Sequence, residues 1–176
     1  AYGIAFGALQ VTVARVTPGL PELGTQAKEL AQLRAKDGEL RKSLAATPDA
    51  AAKAPIQAEL KANFQKQAPI QKQIKEMSDK VQAHQETGGL VGRVLLAVLL
   101  IVGMSRVALL KVFQIPALIL LPLTYFKLFH TGGEAFLWAY AACGLVTVAQ
   151  FSYCGEYLPK VFPLHLRGTG GSFATN

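Results

Sequence analysis

The chain has 176 residues, 51% of them hydrophobic and only 16% charged, with a formal net charge of +7. The charge is concentrated: 11 of 18 Lys and Arg and 9 of 11 Asp and Glu lie from Glu22 to Glu86, and the remainder is nearly uncharged, as lipid-embedded chain is. Inside that stretch cations alternate with acids and outside it they stand singly, which excludes a nucleic-acid-binding face; His84, His130 and His165 are too scattered for a metal site.

Ala1 to Val16, AYGIAFGALQVTVARV, is apolar, with Gly3, Ala5, Gly7 and Ala8 closely spaced, as in helices that approach one another in membranes. It is short for a span and begins without Met, so residues 1–20 are expected to be a partial transmembrane helix of a longer protein. No signal-peptide flank or cleavage site is visible. Gln10 interrupts the run beside Gly7 and Thr12. It is either a hydrogen-bonding group for a polar substrate or a helix–helix contact.

Residues 21–86 predict an extramembrane helical hairpin. Leu23, Leu30, Leu33, Leu40 and Leu44 fall on one heptad seam with Gln26 and Asp37 as polar members, among good helix formers. Thr47-Pro48-Asp49 predicts a turn. A second seam runs through Ile56, Leu60, Ile70, Ile74, Met77 and Val81, with Asn63 and Gln67 as its polar members. Its register survives Pro69, so one kinked helix or two collinear helices are expected, folded back on the first. A weakly structured charged loop is the alternative.

Residues 87–158 predict three transmembrane helices, at about 87–104, 109–129 and 135–157. The first carries one charge, Arg93, six residues into an apolar run. A cation there needs a partner, a cavity or a short path to the interface. It is a candidate ligand for an anionic substrate group, or an interfacial Arg if Gly88 and Gly89 begin the helix. The second span contains Pro116 and Pro122, which membrane helices tolerate where neighbours satisfy the freed carbonyls. The third has Trp138 and Tyr140 towards one end and Tyr153 and Tyr157 towards the other, the pattern of an aromatic belt. Gln150 and Tyr153 lie one turn apart on one face and are candidate substrate contacts or packing residues. Cys143 and Cys154, three helical turns apart, cannot bridge within one helix.

Arg106 and Lys111 follow the first span, and Lys160 and Arg167 follow the third, while the turn at Thr131 to Glu134 has no Lys or Arg. The excess of cations puts the first two connectors in the cytoplasm, and the turn and the hairpin outside. Residues 159–176 are then a cytoplasmic loop and the start of a further helix. No nucleophile–base pair, paired carboxylates or phosphate loop stands out, so no enzyme activity and no cofactor are expected.

The stretch VFPLHLRGTGGSF resembles the loop between the tenth and eleventh helices of major facilitator superfamily transporters, of the sugar-porter-like and metabolite-porter branches; SRVALLKVFQ is a weaker supporting match. The resemblance implies an all-α polytopic membrane bundle, a partial major facilitator fold from about the seventh helix to the start of the eleventh, with the hairpin as an insert. It implies a multi-pass protein of a cell inner (plasma) membrane that moves a small polar solute, a sugar or organic anion, by alternating access, with a coupling ion as second ligand. Gln10, Arg93, Gln150 and Tyr153 would be its substrate-binding candidates. Arg106, Glu156, Lys160 and Arg167 would form its cytoplasmic loop and gate. The family often has an acidic residue where Lys160 stands, with Glu156 one turn earlier as the substitute partner for Arg106 or Arg167. The insert would cap the outer vestibule, dock a protein partner or merely tolerate length. The alternative to a transporter is a membrane-anchored interaction protein acting through its external hairpin.

Overall fold

The computed structural model describes residues 7, 9–46, 50–163 and 166, with the side chains at 14, 50–52, 106 and 151–161 excepted. The predicted turn at Thr47-Pro48-Asp49, residues 1–6 and 8 of the first apolar run, Arg167 and the glycine-rich end from Gly168 lie outside the described residues. The fold is all-α, with no strand among the described residues. Helix α1 spans Gly24–Ala46, α2 Ala50–Ile101, α3 Arg106–Leu123 and α4 Gly133–Val161. A π-helical turn at Thr12–Val16 and two 3-10 turns precede α1. A π segment at Thr124–Leu128 and a short helix at Phe129–Thr131 extend α3.

The chain divides into two compact units, Thr12–Lys80 and the combination of Ala1–Val11 with Val81–Asn176. In the first, α1 and the leading part of α2 meet along the two heptad seams. Leu23, Leu30, Asn63, Gln67 and Ile70 are buried, and the remaining seam positions are half-buried. The polar members of the seams find each other: Gln67 Nε2 donates to Asp37 Oδ2 at 2.8 Å, and Gln71 Nε2 donates to Gln67 Oε1 at 3.4 Å. This part-buried polar contact favours one register of the two helices, although Asp37 Oδ1 and Asn63 Nδ2 make no hydrogen bond among the described residues. At the rim, Lys36 Nζ lies 2.6 Å from Glu59 Oε1, and that hydrogen bond and charge hold the ammonium above its ordinary range.

Helix α2 has 52 residues, ~78 Å by helical rise. It continues without a break through the expected end of the insert at residue 86 and into the first predicted span. Pro55 and Pro69 lie within it, as do Gly88 and Gly89, so these two glycines are not a helix start. It stops at a Schellman turn: Met104 N–H donates to Leu99 C=O at 3.2 Å and Gly103 N–H to Leu100 C=O at 3.1 Å, with Gly103 at φ 83°. Ser105 then caps α3, its hydroxyl accepting from Ala108 N–H at 3.3 Å. Residues 106–111, expected as a basic connector, are therefore the first turns of α3.

In the second unit α4 is the central helix, buried at nearly every position from Phe136 to Gln150. The outer positions of α2 and α3 are apolar and exposed, among them Leu90, Val94, Val98, Ile115, Leu118, Ile119 and Phe126. Among the described residues one helix, Val107–Thr131, is long and apolar enough to cross a membrane.

Candidate functional site

Side chains at Phe136, Tyr140, Cys143, Thr147 and Gln150 follow one another at steps of four, three, four and three residues, so they share one face of α4. All five are buried; Thr147 and Gln150 are polar, and Tyr140 and Cys143 each carry one polar atom on an otherwise apolar side chain. The stripe opens with aromatic packing. Phe136 meets Phe129 edge to face at a centroid distance of 5.7 Å and stacks on Tyr140 at 5.6 Å. Tyr140 is fully buried, and its hydroxyl donates to Leu9 C=O at 2.6 Å. It is a structural residue, whereas Trp138, two positions earlier and turned outward, is 65% exposed and meets His84 edge to face. The belt expected from Trp138 and Tyr140 is therefore split, because neighbouring even-numbered positions point about 200° apart on a helix.

One turn further, Cys143 Sγ and Thr124 Oγ1 lie 3.3 Å apart, both inaccessible to solvent. Thr124 is the first residue of the π segment. The wider π turn inserts a residue into the i, i+4 ladder and re-aims the side chains around it. Thr147 follows, 2% exposed, with an Oγ1 that makes no hydrogen bond within the chain. Gln150 closes the stripe against Leu96, Leu109, Leu110 and Phe113, a cluster that leaves no room for a water molecule.

The other half of the site is a backbone contact between α2 and α4. A Cβ on Gly88 would overlap the Ala141 carbonyl, one on Gly92 the Leu145 carbonyl, and one on Gly144 the Gln85 carbonyl. Gly88 pairs with Ala141 and Gly92 with Leu145, so the two helices run in the same direction. Gly88-x-x-x-Gly92 is the small-x-x-x-small spacing that lets membrane helices touch backbone to backbone. Gln85 sits beside this contact, 1% exposed, with Oε1 unbonded. Buried amide and hydroxyl oxygens left without a partner are costly, by ~1–3 kcal/mol each.

The chain matches no protein-family model, no curated protein and no solved structure.

Of the residues singled out from sequence, Gln150 belongs to this stripe. Gln10 and Arg93 are exposed, and neither is brought into the stripe. Arg93 forms no ion pair among the described residues. The side chains of Tyr153, Glu156, Lys160 and Arg106, and all of Arg167, lie outside the described residues. Gln85, Thr124, Cys143 and Thr147 join the site without having been anticipated. The signal for Cys143 and Thr147 was the spacing that ends at Gln150; Gln85 is brought in by the glycine contact of α2 with α4, and Thr124 by the π turn, which has no sequence mark here. Among the described residues no cluster of His, Cys, Asp or Glu is arranged to hold a metal.

Proposed function

We propose that this chain is the membrane-embedded part of a secondary active transporter for a small polar solute, a sugar or an organic anion, working by alternating access. The observation that carries the reading is the polar stripe on α4. A helix buried on nearly all sides commits Tyr140, Cys143, Thr147 and Gln150 to its inward face, while the outer faces of α2 and α3 are Leu, Ile, Val and Phe. A bundle that is apolar outside and polar within suits a membrane protein that handles a polar cargo; an anchor gains nothing from it.

In this reading the last part of α2, α3 and α4 are three spans of a polytopic bundle of the major facilitator kind. The cations at Arg106, Lys111, Lys160 and Arg167 sit on the cytoplasmic side of a plasma membrane, with Glu156 as their acidic partner. Arg93 lies on the α2 surface, on a face open to further helices of the transporter. Thr147 and Gln150 are the candidate substrate contacts, reached when alternating access opens the packing of Gln150 against Leu96, Leu109 and Phe113.

The test is uptake of a panel of sugars and organic anions by cells that express the protein, comparing the wild type with Thr147→Val and Gln150→Leu at equal membrane levels. Selective uptake that falls at least tenfold in either variant, with folding retained, supports the reading. No uptake of any solute by the wild type, or unaltered uptake in both variants, removes it. The function would then lie with an interaction module built on the helical pair from Thr12 to Lys80, whose compactness as a separate unit favours that second reading.

A further inference from the structure

The helical pair of Thr12–Lys80 carries an open groove of about 590 Å³, in the size range of small-molecule sites. Its apolar lining comes from Leu30 on α1 and from Phe64, Ala68 and Ile74 on α2. Phe64 is 65% exposed and is the one large hydrophobic side chain exposed among the described residues of this unit. Everything else apolar of that size in the pair faces the seam. An aromatic ring left in solvent beside a concave apolar surface forgoes roughly 1.5–3 kcal/mol of burial.

Arg34, Lys72 and Lys75 line the same groove, and no carboxylate does. The unit as a whole mixes both signs of charge, so a cavity with three cations and no acid is a local departure. Lys72 has one weak partner, Glu76 at 4.0 Å, with both side chains well exposed, and such a pair contributes little.

The lining decides what fits. Phe64 and Ile74 are ten residues apart on one helix, ~15 Å by rise. A docked amphipathic helix of that length needs a continuous apolar strip beneath it. Its apolar face would here meet Gln71, Lys72, Lys75 and Ser78 over half its length. A single acyl chain is thin enough to lie between Leu30, Phe64, Ala68 and Ile74, and one anionic head can be reached by long Lys and Arg side chains.

We propose that this groove is a binding site for a single-chain anionic amphiphile, with its acyl chain along Leu30, Phe64 and Ala68 and its head group among Arg34, Lys72 and Lys75. The site is independent of the transport reading, since it uses no residue of the second unit.

The test uses the full chain in a non-ionic detergent below the level at which added amphiphile saturates the micelles. Trp138 is replaced by Phe and Phe64 by Trp, so that the one indole reports on the groove. Dodecanoate is titrated, with dodecanol and dodecyltrimethylammonium as neutral and cationic counterparts of equal length. The expected result is a saturable blue shift with dodecanoate, and at least tenfold weaker responses with the other two. The pair Lys72→Gln and Lys75→Gln should weaken dodecanoate tenfold or more while far-UV helicity is unchanged. Ala68→Leu, which fills the groove without touching its charge, should abolish the shift. Equal responses to all three amphiphiles, or a charge-neutralised variant that binds as the parent does, would overturn the proposal. So would a silent dodecanoate titration alongside saturable binding of a Glu-rich amphipathic peptide, which would make the groove a protein-docking surface.

Discussion

The hydroxyl of Tyr140 donates to the backbone carbonyl of Leu9 at 2.6 Å, across a sequence separation of 131 residues, and both residues are fully buried. This one bond ties the first apolar segment to the central helix α4, so the packing of the unit depends on a polar atom at its centre. Tyr140→Phe keeps the ring and its stacking on Phe136 and removes only the donor. It is expected to destabilise the protein by about 1–3 kcal/mol, read as a lowered midpoint in thermal unfolding in detergent. An unchanged midpoint would mean that the carbonyl finds another donor.

Glycine at 88, 92 and 144 is set by backbone contact. Gly88→Ala and Gly144→Ala each place a methyl group on a carbonyl of the facing helix, which no side-chain rotation relieves. Each is expected to lower stability by about 1–3 kcal/mol, and the two together by less than their sum, since the helices need separate only once. Full additivity in the double variant would argue against a shared interface.

Gly38 is the contrasting case. It lies inside α1, and a Cβ there meets nothing within 4 Å. Gly38→Ala is therefore expected to stabilise the helical pair by roughly 0.5–1 kcal/mol through backbone entropy and helix propensity. A raised unfolding midpoint in the variant, with unchanged helicity at low temperature, is the outcome to look for.

The pair Lys36–Glu59 gives a pH signature. The Lys36 ammonium is held above its ordinary 10.5 by the Glu59 hydrogen bond and charge. A pKa raised on folding adds stability that is complete below the unfolded-state value and is lost as the pH rises through the folded one. The wild type should therefore lose stability relative to Lys36→Met only in the alkaline range above about pH 10. The difference is small, because the pair is exposed, and added salt should reduce it further. An identical alkaline loss in Lys36→Met would mean that the pair does not carry it.

Much of the helical pair is legible in the sequence. Leu30, Ile70 and their neighbours repeat at seven-residue spacing, and burial follows that spacing because it is the geometry of two crossed helices. Even the polar members Asp37 and Gln67 lie on the seam, although sequence alone marks them as exceptions and does not show that they meet. The end of the pair is not legible. Leaving the polar stretch for the apolar one changes composition but not helix propensity, so α2 runs through residue 86 without interruption.

The site was legible in part. Gln150 stands out as a polar residue in an apolar run, and the steps back from it to Thr147, Cys143 and Tyr140 trace the stripe. Arg93 stands out more, yet it is exposed: a helix position is inward or outward by its angle, and Arg93 lies beside the glycine face instead of on it. The Gly88-x-x-x-Gly92 spacing was present in the sequence, but beside Thr87 it reads equally as a helix start. What distinguishes the two is the partner surface on α4, which only the packed structure supplies.

The contact at Gly88, Gly92 and Gly144 is made by backbone, with the Val148 side chain seated on Gly89 beside it. A helix pair held by ordinary knobs and holes fits through the side chains it has, whereas this one fits through positions that carry none. A slip by one residue would carry a side chain to where glycine now meets a carbonyl, so the contact admits one alignment of the two helices. The pair is thus keyed by what is missing: three absent methyl groups hold it in place.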